Sequence, residues 1–177
     1  MQPLLKQNFF ELFRLSPGYL IDVSELASRY RELQQVVHPD RFANASEQER
    51  RLSMQAAAHV NEAFQTLKSP LLRARYLLEL QGVAVDQPLT MPADFLMEQI
   101  DLREQLQALP AQADALLALM RLRDDLEQRI RDLQQAFAAM IAVGDYDAMQ
   151  ALLIFNKMQF LYRLQDEVDS QEEQLSG

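Results

Sequence analysis

The chain offers few residues for covalent chemistry. It has two histidines, His38 and His59, and no cysteine. Thiolate nucleophiles, disulfides and iron–sulfur clusters held on cysteine are therefore excluded. Neither histidine has a ligand-type residue at the i, i+4 spacing of a helical metal site, so no metal is expected. The four glycines in 177 residues form no phosphate-cradling loop, and no cofactor is expected. Adjacent carboxylates such as Asp124 and Asp125 fall on a helix face, where solvation is the ordinary role and acid–base catalysis is not required. The chain reads as a non-enzyme.

His38-Pro39-Asp40 suits a different chemistry, the docking of another protein. Pro39 stiffens the backbone and lowers the entropy cost of docking. Asp40 can accept a charge-assisted hydrogen bond, best from an arginine. His38 adds a polar ring. Arg29, Arg31 and Arg41 surround the tripeptide with positive charge that can steer an acidic partner. The tripeptide also has a purely local use, in which Pro39 stops a helix and Asp40 satisfies turn amides.

The elements that must carry these residues are helical. Ala, Leu, Gln, Glu and Arg dominate, while hairpin dipeptides and β-branched runs are absent. Asn8 can cap a short helix through about Arg14. Asp22 with Glu25 makes an Asp-led capping box, and Leu26, Tyr30, Leu33 and Val37 then form an apolar stripe. Pro39 should end that helix near His38. Ser46 and Glu49 form a second box, opening a helix to about Lys68 with Leu52, Ala56, Val60, Ala63, Phe64 and Leu67 on its apolar side. The two stripes predict an antiparallel hairpin with residues 38–45 at its exposed tip. Ser69-Pro70 starts a further helix to Leu80, with Gly82 as its stop. Three longer helices follow, over about 92–109, over about 112–143, and from Asp145 or Asp147 to about Glu173, and short connections predict an antiparallel three-helix bundle.

The fold class is therefore all-α, with residues 1–80 as a hairpin domain, 81–91 as a linker and 92–177 as a bundle. Charge supports the division: residues 1–78 carry a balance of +2 and residues 79–177 a balance of −11. An acidic bundle repels phosphate backbones, so nucleic acid is not an expected partner. Residues 1–6 do not resemble a signal peptide, and no apolar run approaches the roughly 18 residues of a membrane span. A cytoplasmic location without membrane attachment is the expectation, and a monomer is the simplest state.

The segment from about Asn8 to Tyr76 resembles the J-domain family of co-chaperones. The matching pieces are Phe9-Phe10-Glu11-Leu12-Phe13, Tyr30-Arg31-x-Leu33, His38-Pro39-Asp40-Arg41-Phe42, Val60-Asn61-x-Ala63-Phe64-x-x-Leu67 and Pro70-x-x-Arg73-Ala74-x-Tyr76. The resemblance implies a hairpin whose loop docks on a DnaK-type chaperone and stimulates its ATP hydrolysis. His38, Pro39 and Asp40 inherit the essential role, with Arg29, Arg31 and Arg41 as the basic surround. Gln34 and Gln35 stand where many relatives carry Lys or Arg, which weakens that face.

The second half narrows the resemblance. Asp94-Phe95-Leu96-Met97-Glu98-Gln99-Ile100-Asp101-Leu102-Arg103-Glu104, together with Phe160-Leu161, is similar to the HscB family of iron–sulfur cluster co-chaperones. That family implies a bundle that binds the cluster scaffold IscU and delivers it to HscA, a specialised DnaK-family ATPase. Leu96, Met97, Ile100, Asp101, Glu104 and Phe160 are the scaffold-binding residues it implies. On a helix Leu96, Ile100 and Arg103 share one stripe, while Met97, Asp101 and Glu104 share its neighbour. Without the resemblance such an apolar stripe would be assigned to the core, so binding requires some of these side chains to be exposed. Three other readings stay open: a J-protein with another client or self-association, a carboxylate enzyme, and a nucleic-acid binder.

Overall fold

Capping chemistry sets the helix boundaries. The computed structural model describes residues 2–42, 45–109 and 114–176. After a 3-10 turn over Leu4–Lys6, the α-helices among the described residues are α1 (Phe9–Leu12), α2 (Val23–Val37), α3 (Glu47–Lys68), α4 (Pro70–Leu80), α5 (Ala93–Ala108), α6 (Ala115–Val143) and α7 (Ala148–Ser176). No strand occurs among the described residues, and no described helix is long and apolar enough to cross a membrane. The chain divides into two compact units, Met1–Gln81 and Gly82–Gly177. Both are helical, as the residue pattern predicts.

In the first unit, Ser46 and Glu49 close both halves of the predicted capping box at α3. Ser69 caps α4 with Pro70 at its first position, and α4 stops before Gly82, whose φ of 74° is left-handed. Two features depart from expectation. The Asp22 carboxylate accepts from the Ser24 and Glu25 amides, but Glu25 does not return a bond to Asp22. Its carboxylate pairs with Arg29 one turn on. Helix α1 also ends at Leu12, two residues early, because Arg14 adopts a left-handed φ of 53°. Arg14 N donates to Glu11 O at 3.0 Å and Leu15 N to Phe10 O at 2.8 Å, the paired bonds of a Schellman stop. A non-glycine residue there costs about 1 kcal/mol.

Helices α2 and α3 pair antiparallel. Tyr30 stacks on Phe64 at 4.0 Å, and its hydroxyl donates to Asn61 Oδ1 at 2.8 Å. The buried stripe of α3 is Ser53, Ala56, Val60, Ala63 and Leu67. Helix α1 is held through Phe9, which stacks on Tyr76 of α4 at 4.3 Å and donates its amide to the Tyr76 hydroxyl at 2.9 Å. Burial pushes the Tyr76 phenol up, with the Glu11, Glu79 and Glu62 carboxylates acting in the same direction. Arg73 is the buried cation of this unit. Its Nε donates to Tyr19 O at 2.7 Å, its Nη1 donates to Leu67 O, and its guanidinium lies over the Tyr19 ring.

In the second unit α5, α6 and α7 form one core. Leu102, Leu106 and Leu109 meet Leu119, Leu122, Leu126 and Ile130, together with Leu161, Leu164 and Val168. Ion pairs Arg129–Glu98 and Arg123–Glu172 fix antiparallel neighbours across the bundle. The expected α6 start at Gln112 lies outside the described residues. Gly144, with φ of 80°, ends α6, and the Asp147 carboxylate caps α7 through the Met149 amide at 2.8 Å.

Two predictions follow from these contacts. Arg73→Leu leaves two carbonyls without a donor and should lower stability by about 2–5 kcal/mol in urea denaturation. The caps also set acid sensitivity. Hydrogen bonds from the Ser24 hydroxyl and the Glu25 and Ser24 amides lower the Asp22 carboxyl; bonds from Ser46 lower that of Glu49. Their stabilisation is present above the ordinary carboxylate range and is lost as pH falls through the depressed values. Asp22→Ala with Glu49→Gln should flatten the acid limb of the melting temperature against pH.

Candidate functional site

The hairpin tip is built by what happens when α2 must stop. The restriction that a proline places on the preceding residue puts His38 at φ −57°, ψ 127°, out of helical geometry. The backbone then makes a 3-10 turn over Pro39–Phe42, closed by Arg41 N donating to His38 O at 3.1 Å. His38 and Asp40 are exposed. The His38 Nδ1 lies 3.3 Å from the Asp40 amide nitrogen and 3.5 Å from Asp40 Oδ2.

The last carbonyls of α2 are served from outside the helix. The hydroxyl of Ser53 on α3, fully buried, donates to Val37 O at 2.9 Å. Arg41 Nη1 donates to Gln35 O at 3.0 Å. Arg31, Gln34, Gln35, His38 and Arg41 line one shallow depression of about 640 Å³. Its lining carries two guanidiniums, which suit an acidic surface. Arg29 lies elsewhere. Its guanidinium donates to Phe13 O at 2.5 Å and to Arg14 O, and pairs with Glu25, so it closes the end of α1. Gln34 is also engaged, donating to the Tyr30 hydroxyl and to Asn61 Oδ1.

A second surface lies on α5. Leu96, Met97 and Ile100 are 45 %, 60 % and 50 % exposed, while Phe95, Leu102 and Leu106 on the same helix are buried. The apolar stripe in question is therefore outside the core. Asp101 and Glu104 are exposed beside it. Phe160 of α7 is half-buried, edge-on to Phe95 with centroids 5.7 Å apart. Two cations lie against this aromatic pair, Arg103 over Phe160 at 5.8 Å and Lys157 over Phe95 at 4.9 Å. The result is an apolar surface with carboxylates along one side and cations by its aromatic base. A surface of this composition, leucine, isoleucine and methionine within a charged rim, has the make-up of a protein-contact surface.

Ser53, Arg73 and Lys157 were not among the expected functional residues. Ser53 had a signal: it occupies the position where the stripe 56, 60, 63, 67 continues towards the start of α3, and a hydroxyl there needs a partner. Lys157 had none, since its neighbour Phe95 lies on another helix.

A helical hairpin whose His-Pro-Asp tip exposes His38 and Asp40, followed by a helical bundle, is the architecture of a J-domain co-chaperone. Residues 91–169 match the family model described as the HSCB C-terminal oligomerisation domain. The co-chaperone protein HscB homolog of Shewanella halifaxensis is 43 % identical over 171 residues, covering 95 % of this chain and 98 % of that protein. The structure of the chaperone HscB from Vibrio cholerae is similar at 39 % identity and a TM-score of 0.87, over 96 % of this chain and 99 % of that one. Human co-chaperone HscB is similar at 25 % identity and a TM-score of 0.86, over 94 % and 83 %. The chain belongs to the HscB co-chaperone family.

Exposure separates neighbours on α5. Leu96→Ser, Met97→Ser and Ile100→Ser should each shift stability by no more than about 0.5–1 kcal/mol. Phe95→Ala, one residue before, should cost about 3–5 kcal/mol. Chemical denaturation of the four variants checks the contrast.

Proposed function

We propose that this chain is a non-enzymatic adaptor in iron–sulfur cluster assembly. In this reading residues 1–80 are the J-domain, 81–91 a linker and 92–177 the scaffold-binding bundle. His38, Pro39 and Asp40, with Arg31 and Arg41, dock on the chaperone ATPase HscA and stimulate its ATP hydrolysis. Leu96, Met97, Ile100, Asp101, Glu104 and Phe160 bind the scaffold IscU. Arg29 contributes by holding α1 against α2 rather than by direct contact. The protein works as a monomer in the cytoplasm and needs neither nucleic acid nor membrane.

The observation that carries this reading is the exposure of Leu96, Met97 and Ile100 on a helix whose other apolar side is already buried. Apolar side chains grouped outside a complete core mark a binding surface. The His38–Asp40 tip supplies a separate polar surface on the other unit. Two surfaces on one chain act by effective concentration: the scaffold is held near the chaperone, so the second encounter becomes local. Family membership supports the class of partner.

The matched family model carries oligomerisation in its description, so a second copy of this chain is the other candidate occupant of the α5 surface. Light scattering separates the two. A monomer that binds IscU supports the adaptor, and a dimer lost in Ile100→Ser supports self-association.

The ATPase rate of purified HscA with this protein, with IscU and with both tests the whole reading. Synergistic stimulation is expected. His38→Gln or Asp40→Asn should abolish it while leaving IscU binding within about twofold, a difference below 0.5 kcal/mol. Leu96→Ser with Ile100→Ser should weaken IscU binding about 10–100-fold, in the range of interface anchors. Loss of both functions in the His38 variant would contradict separate surfaces.

A further inference from the structure

The Ser53 hydroxyl is a buried polar group in an otherwise apolar stripe, bonded to the carbonyl of the residue immediately before His38. We propose that Ser53 is a positioning residue for the docking loop: its bond to Val37 O sets the direction in which His38, Pro39 and Asp40 leave α2. The inference rests on the docking role given above to that loop.

Three observations support a positioning role over simple packing. The bond falls on the last residue of α2, where the turn before Pro39 leaves carbonyls without a helical donor. Its donor comes from the partner helix of the hairpin, so it ties the exit of α2 to the rigid body of α3. The only other side-chain donor to the last α2 carbonyls among the described contacts is the guanidinium of Arg41, an exposed side chain from the loop itself. Arg41 is free to leave Gln35 O when a partner's carboxylate takes its charge. Ser53 is buried and stays. During docking the last turn of α2 therefore keeps one fixed anchor, and the loop remains in its binding direction. Without that anchor the loop must be ordered again at each encounter, which raises the cost of association without altering the groups that act once bound.

Ser53→Ala removes only the hydroxyl and keeps the stripe apolar, so the fold should persist. HscA ATPase is measured against the concentration of the full-length protein. The concentration for half-maximal stimulation should rise about three- to tenfold in Ser53→Ala, with the plateau unchanged. Val60→Ala, a core truncation nearly two turns along α3, serves as the stability control. After correction for folded fraction its half-maximal concentration should match wild type. Amide exchange should also accelerate at Asp40 and Arg41 in Ser53→Ala and not in Val60→Ala. A half-maximal concentration within about twofold of wild type in Ser53→Ala, or an equal shift in Val60→Ala, overturns the proposal. If wild type fails to stimulate HscA, the docking reading itself falls. Unchanged exchange at Asp40 and Arg41 in Ser53→Ala would then dispose of the anchor as well.

Discussion

Helix ends in the first unit are closed by side chains from elsewhere in the chain, and the geometry of the hairpin tip depends on this. Arg29 collects the carbonyls of Phe13 and Arg14 after α1. Ser53 and Arg41 serve the last turn of α2. Arg73 serves Leu67 at the end of α3 and reaches Tyr19 in the loop before α2. Each unmet buried carbonyl would cost about 1–3 kcal/mol. Short helices joined by tight turns place those ends against protein rather than water. Three of the four donors are arginines, whose planar fork can serve two acceptors at once. The tip is therefore held by the assembled hairpin and not by its local sequence alone.

The two surfaces differ in kind. The tip is polar and small, with direction fixed by proline geometry and a buried hydroxyl. The α5 surface is apolar and broader, backed by the Phe95–Phe160 pair and edged by both signs of charge. Charge separates them as well, since the first part of the chain is slightly basic and the second strongly acidic. Positive charge at the tip favours an acidic partner, and the same partner is repelled by the bundle. In the adaptor proposed above, such a division keeps each partner on its own surface.

Most of the fold was legible from caps and prolines. The Ser46–Glu49 box, Ser69-Pro70 and Pro39 are local signals, and each acts within one turn of the boundary it sets. The end of α1 was not legible, because an arginine took a conformation that glycine usually marks. The half-formed box at Asp22 failed for a tertiary reason: Glu25 was claimed by Arg29, which was itself drawn in by α1. Helix α5 is the clearest limit of pattern reading. Its apolar residues run round most of the helix, with Phe95, Leu102 and Leu106 inside and Leu96, Met97 and Ile100 outside. Periodicity could not say which set faced α6 and α7. The basic surround was also only half readable, since a guanidinium at helical spacing can turn outward like Arg31 or inward like Arg29.

The position of His38 Nδ1 between the Asp40 amide and carboxylate determines what the tip can offer a partner. In the neutral ring, Nδ1 accepts from the Asp40 amide, so the single ring proton must reside on Nε2. The tautomer is thereby chosen by the backbone of the next-but-one residue. The outer edge of the tip then presents a donor from the imidazole and an acceptor from the Asp40 carboxylate. A complementary surface must offer an acceptor and a donor in matching order. Glutamine or asparagine at position 38 could supply a donor, but neither has a ring whose far edge is set by this amide.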